Sequence, residues 1–421
     1  GFETEREIAI ALTRYCLPQI FFLGLFTMLG QIANARGSFA PLMWAPIANN
    51  LVVIVVFSAF LIKWPSVNVD SITSTQIQIL GWGTTAGIIV QALILIPVVK
   101  RSGIKIRPKW GVAGLGKSFS LAGWTLVYVL ISQIGYLITV NVATTAAVDS
   151  AKAGITTGVG FTPFKNAYLI MLLPYSIVTI SIVTALLPHM SKLAINKKIE
   201  DVKEQLLRAI KTVAVLTIPS SVAFLLFGPL ITEVLFFGID KNDGIYIGYV
   251  LSALSLGLVA FSINLVLIRG FNAFEDTRTQ VWSILIINII SVGLSYLFLA
   301  VLPSDWVTVG LGVAFSVSYL IGLFITLRLL KKHTGTIHVR EFIGQHGRLL
   351  SAALIAMLPI FAISQYFGWV GSDQSSLIRA IELLFVIVAG ALGYFFAAKA
   401  LRITEVSGIT ALILRRNKAA E

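Results

Sequence analysis

The stretch FKNAYLIMLLPYSIVTISIVTALLPHMSK, residues Phe164–Lys192, decides the fold class of this chain. After Lys165 it carries no charged side chain before its His189–Lys192 edge. About 20 apolar residues are enough for a helix to cross the hydrocarbon core, so this stretch can cross it with a tilt. Pro174 lies inside the stretch and removes one backbone donor, so we expect a kink there. Because freed backbone groups find no water in lipid, we expect the kink to lie against protein or a wet cavity.

The composition indicates a membrane protein with many spans. Of its 421 residues, 57% are hydrophobic and only 12% are charged, whereas a soluble domain carries about 25% charge. The single cysteine, Cys16, excludes a disulfide framework and a multi-cysteine metal site, and the four histidines lack metal-ligand spacing. No hydrolase, phosphate-binding or zinc-protease motif occurs, so we expect no metal, no cofactor and no enzyme activity. The sequence predicts an all-α, polytopic helical bundle.

Apolar segments recur along the whole chain and predict 11 transmembrane helices. Their approximate ranges are 12–32, 43–62, 77–99, 118–140, 164–192, 213–227, 245–268, 281–301, 307–329, 349–367 and 377–400. A surface helix is expected within 192–211, and a short interfacial helix over 228–238. No domain linker separates these segments, so we expect one bundle.

The basic residues alternate between the links of this bundle. Of the 32 Lys and Arg residues, 25 fall on one side of the predicted membrane and 7 on the other. Loops rich in Lys and Arg stay on the cytoplasmic side of a membrane. The basic side of this chain is therefore predicted to be inside, and its C-terminus cytoplasmic. The net charge of +13 is thereby explained without a nucleic-acid partner.

Burying a polar group inside the membrane costs free energy, so polar residues within the predicted spans are the candidates for functional residues. Arg14 and Lys165 lie near the predicted outer ends of their spans; each either reaches the interface or faces a shared cavity and holds an anion. Glu382 follows Arg379 by one helical turn, which predicts an ion pair between them. Asp276, with Thr277, is expected to cap the following helix. Seven amides are expected to join helices by hydrogen bonds: Asn49, Asn50, Gln91, Gln133, Asn141, Asn264 and Asn288.

Five sequence pieces, in family order, resemble the MurJ (MviN) lipid II flippase family, which belongs to the multidrug/oligosaccharidyl-lipid/polysaccharide exporter superfamily. Arg14 and Pro18 match the opening of the family's fourth helix, and Pro174 with TALLPHMS, which contains Pro188, matches its eighth. The asparagine, phenylalanine and AP-xxx-N pattern of the family is matched by Asn34, Phe39, Ala45, Pro46 and Asn50. The remaining pieces are IPSSVAFLLFGPLITEVLFFG, which contains Pro229, and RGFNAFEDTRT, which contains Arg269, Phe271 and Asp276.

The resemblance implies a two-lobe bundle of 14 helices around a cationic cavity, of which the 11 predicted spans match helices four to 14. It places the remainder of the N-terminal lobe at 1–147, the core of the C-terminal lobe at 148–338, and the last two helices with a basic tail at 339–421. Three earlier helices are expected to precede Gly1 in the intact protein. Leu169 and Leu172 stand where the family often has an arginine and a glutamate. The headgroup site implied here is Arg14, Asn50 and Lys165, with Lys165 one turn from the lost arginine.

The resemblance implies that the protein transports its substrate and catalyses no chemical reaction. An undecaprenyl-pyrophosphate-linked peptidoglycan precursor, lipid II, would move from the inner to the outer leaflet of the bacterial cell membrane by alternating access. Partners would be this glycolipid, membrane lipids, and cell-wall synthesis or division proteins. Two alternatives remain open at this point: a related polysaccharide-lipid or drug exporter, and a non-transporting cell-wall scaffold.

The predicted orientation can be tested by labelling engineered cysteines in intact cells. Cysteines placed near Asn196 and Lys331 should be protected from an impermeant thiol reagent, because the positive-inside rule places these links in the cytoplasm. Cysteines near Asp149 and Asp240 should be labelled. The reverse pattern would contradict both the orientation and the family alignment.

Overall fold

The structure, a computed structural model, describes residues 2–35, 38, 40–68, 71–101, 116–155, 157–337, 339–371 and 374–403. All regular secondary structure in these ranges is helical. The α-helices are α1 (Phe2–Cys16), α2 (Pro18–Ala35), α3 (Ala40–Lys63), α4 (Ser74–Leu93), α5 (Leu95–Arg101), α6 (Gly116–Lys152), α7 (Phe161–Pro174), α8 (Ser181–Ile195), α9 (Ile199–Leu235), α10 (Lys241–Ala273), α11 (Thr277–Val301), α12 (Val307–Thr334), α13 (Val339–Tyr366) and α14 (Ser376–Ala400). The all-α, multi-span fold class is confirmed.

The described residues contain 10 helical segments long and apolar enough to cross a membrane. Two of these segments, Arg6–Ala33 and Ser74–Arg101, each combine two consecutive α-helices, and Ser304–Thr334 combines a short 3-10 helix, Ser304–Trp306, with α12. The eleventh span predicted from the sequence is Phe164–Lys192, which is helical throughout but is not one continuous α-helix. The difference in count therefore comes from the segment that contains Pro174.

Pro174 ends α7, and a π-helical stretch, Tyr175–Ile180, joins it to α8. Proline has no N–H for the regular ladder and its ring crowds the preceding turn, so the hydrogen bonds are reorganised at this point. The hydroxyl of Ser176 donates to the carbonyl of Leu173 at 2.9 Å, which satisfies one acceptor of the last α7 turn. Pro174 itself is buried, so the interruption lies against protein, as predicted.

The chain divides into two compact units, Gly1–Ala113 and Gly114–Glu421. In the first unit, a polar network holds α4 against the junction of α1 and α2. Gln19 donates to the hydroxyls of Thr84 at 3.2 Å and Thr85 at 3.0 Å, and Thr85 donates to the carbonyl of Tyr15 at 2.8 Å. Pro18 begins α2, where its missing N–H costs nothing.

In the second unit, α9 is one continuous helix of 37 residues. The sequence predicted three pieces here: a surface helix, a span over 213–227 and a short interfacial helix over 228–238. That division was wrong, because Gly228 and Pro229 serve helix packing and do not end the helix. A Cβ on Gly228 would lie 2.6 Å from the carbonyl oxygen of Gly248 on α10.

The crossing of α9 and α10 brings two backbones into contact. A Cβ on Gly248 would overlap the Cα and N atoms of Pro229, and the Ser252 hydroxyl donates across the crossing to the carbonyl of Phe224 at 3.0 Å. Small residues allow such close approach in membranes, where packing and hydrogen bonds drive helix association. The central helix α10 is consequently the most enclosed of the candidate spans in the described residues.

Replacing Gly248 tests this crossing. Gly248→Ala should lower the free energy of unfolding by about 1–3 kcal/mol, because the added methyl group meets backbone that cannot move aside. Gly293→Ala on α11 is the matched control, since nothing lies within 4 Å of its added Cβ, and stability should stay level or rise by about 1 kcal/mol or less. Thermal unfolding in detergent measures both; equal melting temperatures would contradict the packing argument.

Candidate substrate-facing site

A cavity of about 240 Å³ opens in the second unit among α6, α7, α11 and α12. Its lining combines one cation, several hydroxyl groups and aromatic rings. The side chains used below are Tyr136, Lys165, Tyr168, Asn288, Phe315 and Tyr319. Lys165 is exposed on α7, and its ammonium makes no ion pair within the part of the chain that the structure describes. An exposed cation therefore lies at a polar and aromatic cavity.

Aromatic side chains form a ladder along one side of this cavity. Phe161, Phe164 and Tyr168 recur every three or four residues of α7, so they share one face; neighbouring rings stack with centroids 6.4 Å apart. Tyr168 then meets Phe315 of α12 edge-on at 5.8 Å. Such pairs hold the rings in fixed orientations and leave the tyrosine hydroxyls as polar points in an apolar wall.

A second cavity of about 210 Å³ lies next to the first, because Ile284, Ile287 and Tyr319 line both. Its further lining includes Tyr128, Tyr175 and Asn264. Asn264 is only 1% exposed; its Oδ1 accepts from the Thr326 hydroxyl at 3.3 Å, while its Nδ2 has no hydrogen-bond partner among the described residues. We call the two cavities together the tyrosine cleft.

Arg269 of α10 lies within electrostatic range of Tyr128 and Tyr175, beside the second cavity. Its Nε is buried and has no hydrogen-bond partner in the described ranges. The tyrosine cleft thus has Lys165 of α7 in its lining and Arg269 of α10 within electrostatic range of two of its tyrosines. Such an arrangement suits an elongated anionic or hydroxyl-rich group.

Comparison with known proteins identifies the family. The family model described as lipid II flippase MurJ matches residues 1–377 of this chain. The chain belongs to the MurJ family. The match covers most of the sequence and includes all five pieces that carried the resemblance. A family of flippases is a family of transporters, so the chain is a multi-pass membrane protein and not an enzyme.

Individual relatives agree with this assignment. Lipid II flippase MurJ of Burkholderia cenocepacia is 24% identical over 393 residues, which are 92% of this chain and 72% of that protein. A probable lipid II flippase MurJ of Rhizobium meliloti is 26% identical over 385 residues, 90% of this chain and 68% of that protein. A solved structure of lipid II flippase MurJ in an inward closed conformation has a TM-score of 0.65 at 20% identity, covering 93% of this chain and 74% of that one. This last likeness shows the MurJ fold.

The predicted headgroup residues fall in both units. Arg14, near the end of α1, and Asn50, on α3, belong to the first unit and are exposed there, while Lys165 belongs to the second. Asn49, the neighbour of Asn50, is the amide that packs on α4, where its Oδ1 occupies the space beside Gly87. Phe39 lies outside the described residues.

The amides predicted to join helices behave differently from one another. Asn264 accepts a hydrogen bond from Thr326 of α12, as predicted. Asn288 packs beside Gly135 of α6, but its Nδ2 donates to the carbonyl of Ile284 in its own helix at 2.9 Å, so the predicted interhelical bond was wrong there. Gln133 and Asn141 of α6 are instead exposed. These two face outward because α6 packs mainly through its other side, on α11.

The expected ion pair between Arg379 and Glu382 was wrong. Arg379 pairs with Glu233 of α9, with Nη1 and Oε1 2.7 Å apart, and its Nη2 donates to the carbonyl of Gln374 at 2.9 Å. Spacing along α14 identified the cation correctly but could not reveal a partner on another helix. Glu233 was missed because it stands alone in an apolar run of α9.

The remaining motif residues differ in their surroundings. Pro188 is exposed within α8, Pro229 lies at the α9–α10 crossing, and Phe271 is fully buried. Asp276 caps α11, as predicted: it accepts from the N–H of Thr279 at 2.9 Å and from its hydroxyl at 2.6 Å. His333 of α12 adds a third contact, with Nε2 2.7 Å from Oδ2 of Asp276.

The environment of Asp276 favours its ionised form. Partial burial acts to raise the pKa of Asp276, but the hydrogen bonds from Thr279 and His333 outweigh it and hold that pKa below its usual value. His333 also stacks on Phe274, with ring centroids 4.9 Å apart. The link between α10 and α11 is therefore fastened to the end of α12 by one carboxylate.

The pH dependence of stability tests this fastening. A carboxyl whose pKa is lower in the folded state adds stability above its unfolded pKa, and the stability is lost as the pH falls through the folded value. Wild-type protein should therefore lose stability between about pH 5 and about pH 3, and Asp276→Asn should show a shallower loss. Asp276→Ala should cost about 1 kcal/mol or more, because the N-cap is also removed.

Melting temperatures measured across this pH range provide the readout. Asp201→Asn, at an exposed acid in the first turn of α9, is the matched control and should keep the wild-type slope. An Asp276→Asn slope identical to that of the wild type would show that the carboxylate charge contributes nothing to stability.

Proposed function

We propose that this chain is a lipid II flippase, which moves an undecaprenyl-pyrophosphate-linked headgroup from the inner to the outer leaflet by alternating access. The observation that carries the proposal is the family match over residues 1–377, which relatives named as lipid II flippases accompany. No observation favours a polysaccharide or drug exporter, or a scaffold without transport. The bacterial cell membrane, with a cytoplasmic C-terminus, is the proposed location, and cell-wall synthesis or division proteins are proposed partners.

The chemistry of the substrate fits the tyrosine cleft. A diphosphate needs cations and a wet path, and Lys165 offers an ammonium with three donors at the opening of the cleft. Sugar rings bring hydroxyl groups together with apolar faces, and the Tyr136 and Tyr168 side chains present both hydroxyls and flat rings. The polyprenyl tail stays in lipid, so no apolar tunnel is required.

Lys165 replaces, as a headgroup-binding cation, the arginine that the family often has where this chain has Leu169. Leu169, one turn further along α7, is 53% exposed, so it lies on the same exposed face as Lys165. The long lysine stem lets the ammonium move about one turn, or ~5.4 Å, along that face. Arg14 and Asn50 are proposed to supply further headgroup contacts from the first unit, and the lobe limits at 147 and 338 remain predictions.

Substitution of Lys165 tests the headgroup role. Lys165→Arg should keep activity because the charge is retained. Lys165→Ala should reduce transport about ten- to hundredfold, the weight of one charge-assisted hydrogen bond of about 1.5–3 kcal/mol, and Lys165→Glu should reduce it further. Complementation of a flippase-depleted strain, with protein levels checked, measures the effect.

Lys152 offers a matched control. It is also exposed near one end of its helix, but it pairs with Asp149 at 3.4 Å and lies outside the tyrosine cleft. Lys152→Glu should therefore complement normally. Full growth with Lys165→Glu at normal protein level would rule out the headgroup role, and a nearly silent Lys165→Gln would show that Lys165 only reaches the interface.

A further inference from the structure

Two carboxylates and one guanidinium are enclosed together at one end of α9 and the start of α14, outside the tyrosine cleft. Glu233 lies in the last turn of α9, and Arg379 and Glu382 lie in the first two turns of α14. Glu233 and Arg379 are the charged groups that act most strongly on Glu382. The sites proposed for the headgroup do not use any of the three.

Glu233 has a charged partner on α14. Its Oε1 lies 2.7 Å from Nη1 of Arg379, although this oxygen has no hydrogen bond of regular geometry, and its Oε2 accepts from the N–H of Gly371 at 3.3 Å, in the turn between α13 and α14. The Glu233 side chain is only 1% exposed, so this pairing replaces the water that the carboxylate has lost. Arg379 also donates to the carbonyl of Gln374, so both of its terminal nitrogens are engaged.

Glu382 lacks such partners among the described residues. It is 9% exposed, and its Oε2 is buried without a hydrogen-bond partner among the described residues. Val386, one turn further along α14, belongs to an apolar cluster with Leu230 and Met357 from α9 and α13. A carboxylate buried against apolar side chains and beside a second carboxylate loses more hydration than a shared guanidinium returns.

The surroundings offer few other charges. The charged residues of α13 all lie at its opposite end, within its first 10 residues. Lys241 of α10 passes beside Gly371, with Cε 4.0 Å from the position of an added Cβ. Asp373 is outside the described residues. Arg379, the cation that acts on Glu382, is already paired with Glu233, so the buried Oε2 of Glu382 is a place for a small cation of its own.

We propose that Glu382 is a proton-binding site: the carboxylate takes one proton from water at the rim and is a neutral carboxylic acid in the folded protein at neutral pH. The acid can donate where the bare carboxylate could only accept. Loss of the proton would place two anions in competition for Arg379. The Glu233–Gly371 bond would then weaken, and with it the hold of α9 on the turn that connects α13 and α14.

Infrared spectroscopy of the purified protein in lipid nanodiscs tests the assignment directly. A protonated carboxyl has a C=O stretch that carboxylates lack, and this band should persist at about pH 7 and disappear in Glu382→Gln. Because the folded protein holds a proton that the unfolded chain releases, the melting temperature of the wild type should fall by a few degrees between about pH 5 and about pH 8. Glu382→Gln should remove that fall, whereas Asp240→Asn, at an exposed acid nearby on the chain, should retain it.

Three results would overturn the proposal. One is the absence of a carboxylic-acid band in wild-type protein at neutral pH, which can be seen even if Glu382→Gln does not fold. Another is a band and a melting curve that Glu382→Gln leaves unchanged. The third is stabilisation by sodium ions at constant pH that Glu382→Gln abolishes, which would make Glu382 a metal-cation ligand. None of these measurements depends on lipid transport, so the proton site and the flippase function fail or stand separately.

Discussion

Each backbone N–H and C=O inside a bilayer must find its partner within the protein, and the rest of this structure depends on that requirement. Helices meet it along their length, and hydroxyl groups supplement it where they face the chain itself. Thr217 and Ser295 donate to carbonyls four residues earlier in their own helices. Polar side chains can thus be carried through the membrane without leaving donors exposed to lipid.

The same requirement explains how the helices associate. Lipid tails are as apolar as leucine, so burial of apolar side chains alone gives little drive for one helix to choose another. Helices in the second unit accordingly meet where a glycine lets two backbones approach closely and where a hydroxyl group forms a hydrogen bond across the contact. Ser316 of α12 sits against Gly257 of α10 and donates to the carbonyl of Ala253 at 2.7 Å. These crossings fix which helices surround the tyrosine cleft, and so where Lys165 and Tyr168 stand.

The predictability of the fold and of the site differs for physical reasons. Length and apolarity are properties of a segment, so the spans, the interruption at Pro174 and the cap at Asp276 could be inferred locally. Partners on different helices are not local properties. Arg379 was paired with Glu382 because only their spacing was visible, and Glu233 and His333 emerged from packing. The tyrosines of the cleft also gave no signal, since an aromatic residue in an apolar run looks like ordinary core.

The π-helical stretch after Pro174 has a consequence for the phase of the helix. The buried side chains of α7 follow steps of three or four residues, from Ala167 through Met171 to Pro174. A π-helical turn holds one residue more than an α-helical turn, and each residue turns a helix by about 100°, so the stretch Tyr175–Ile180 sets which face of α8 packs, with Val183 and Met190 inside. Loss of a single residue between 175 and 180 would rotate the whole of α8 away from its neighbours. The number of residues in this stretch is therefore constrained independently of their identity.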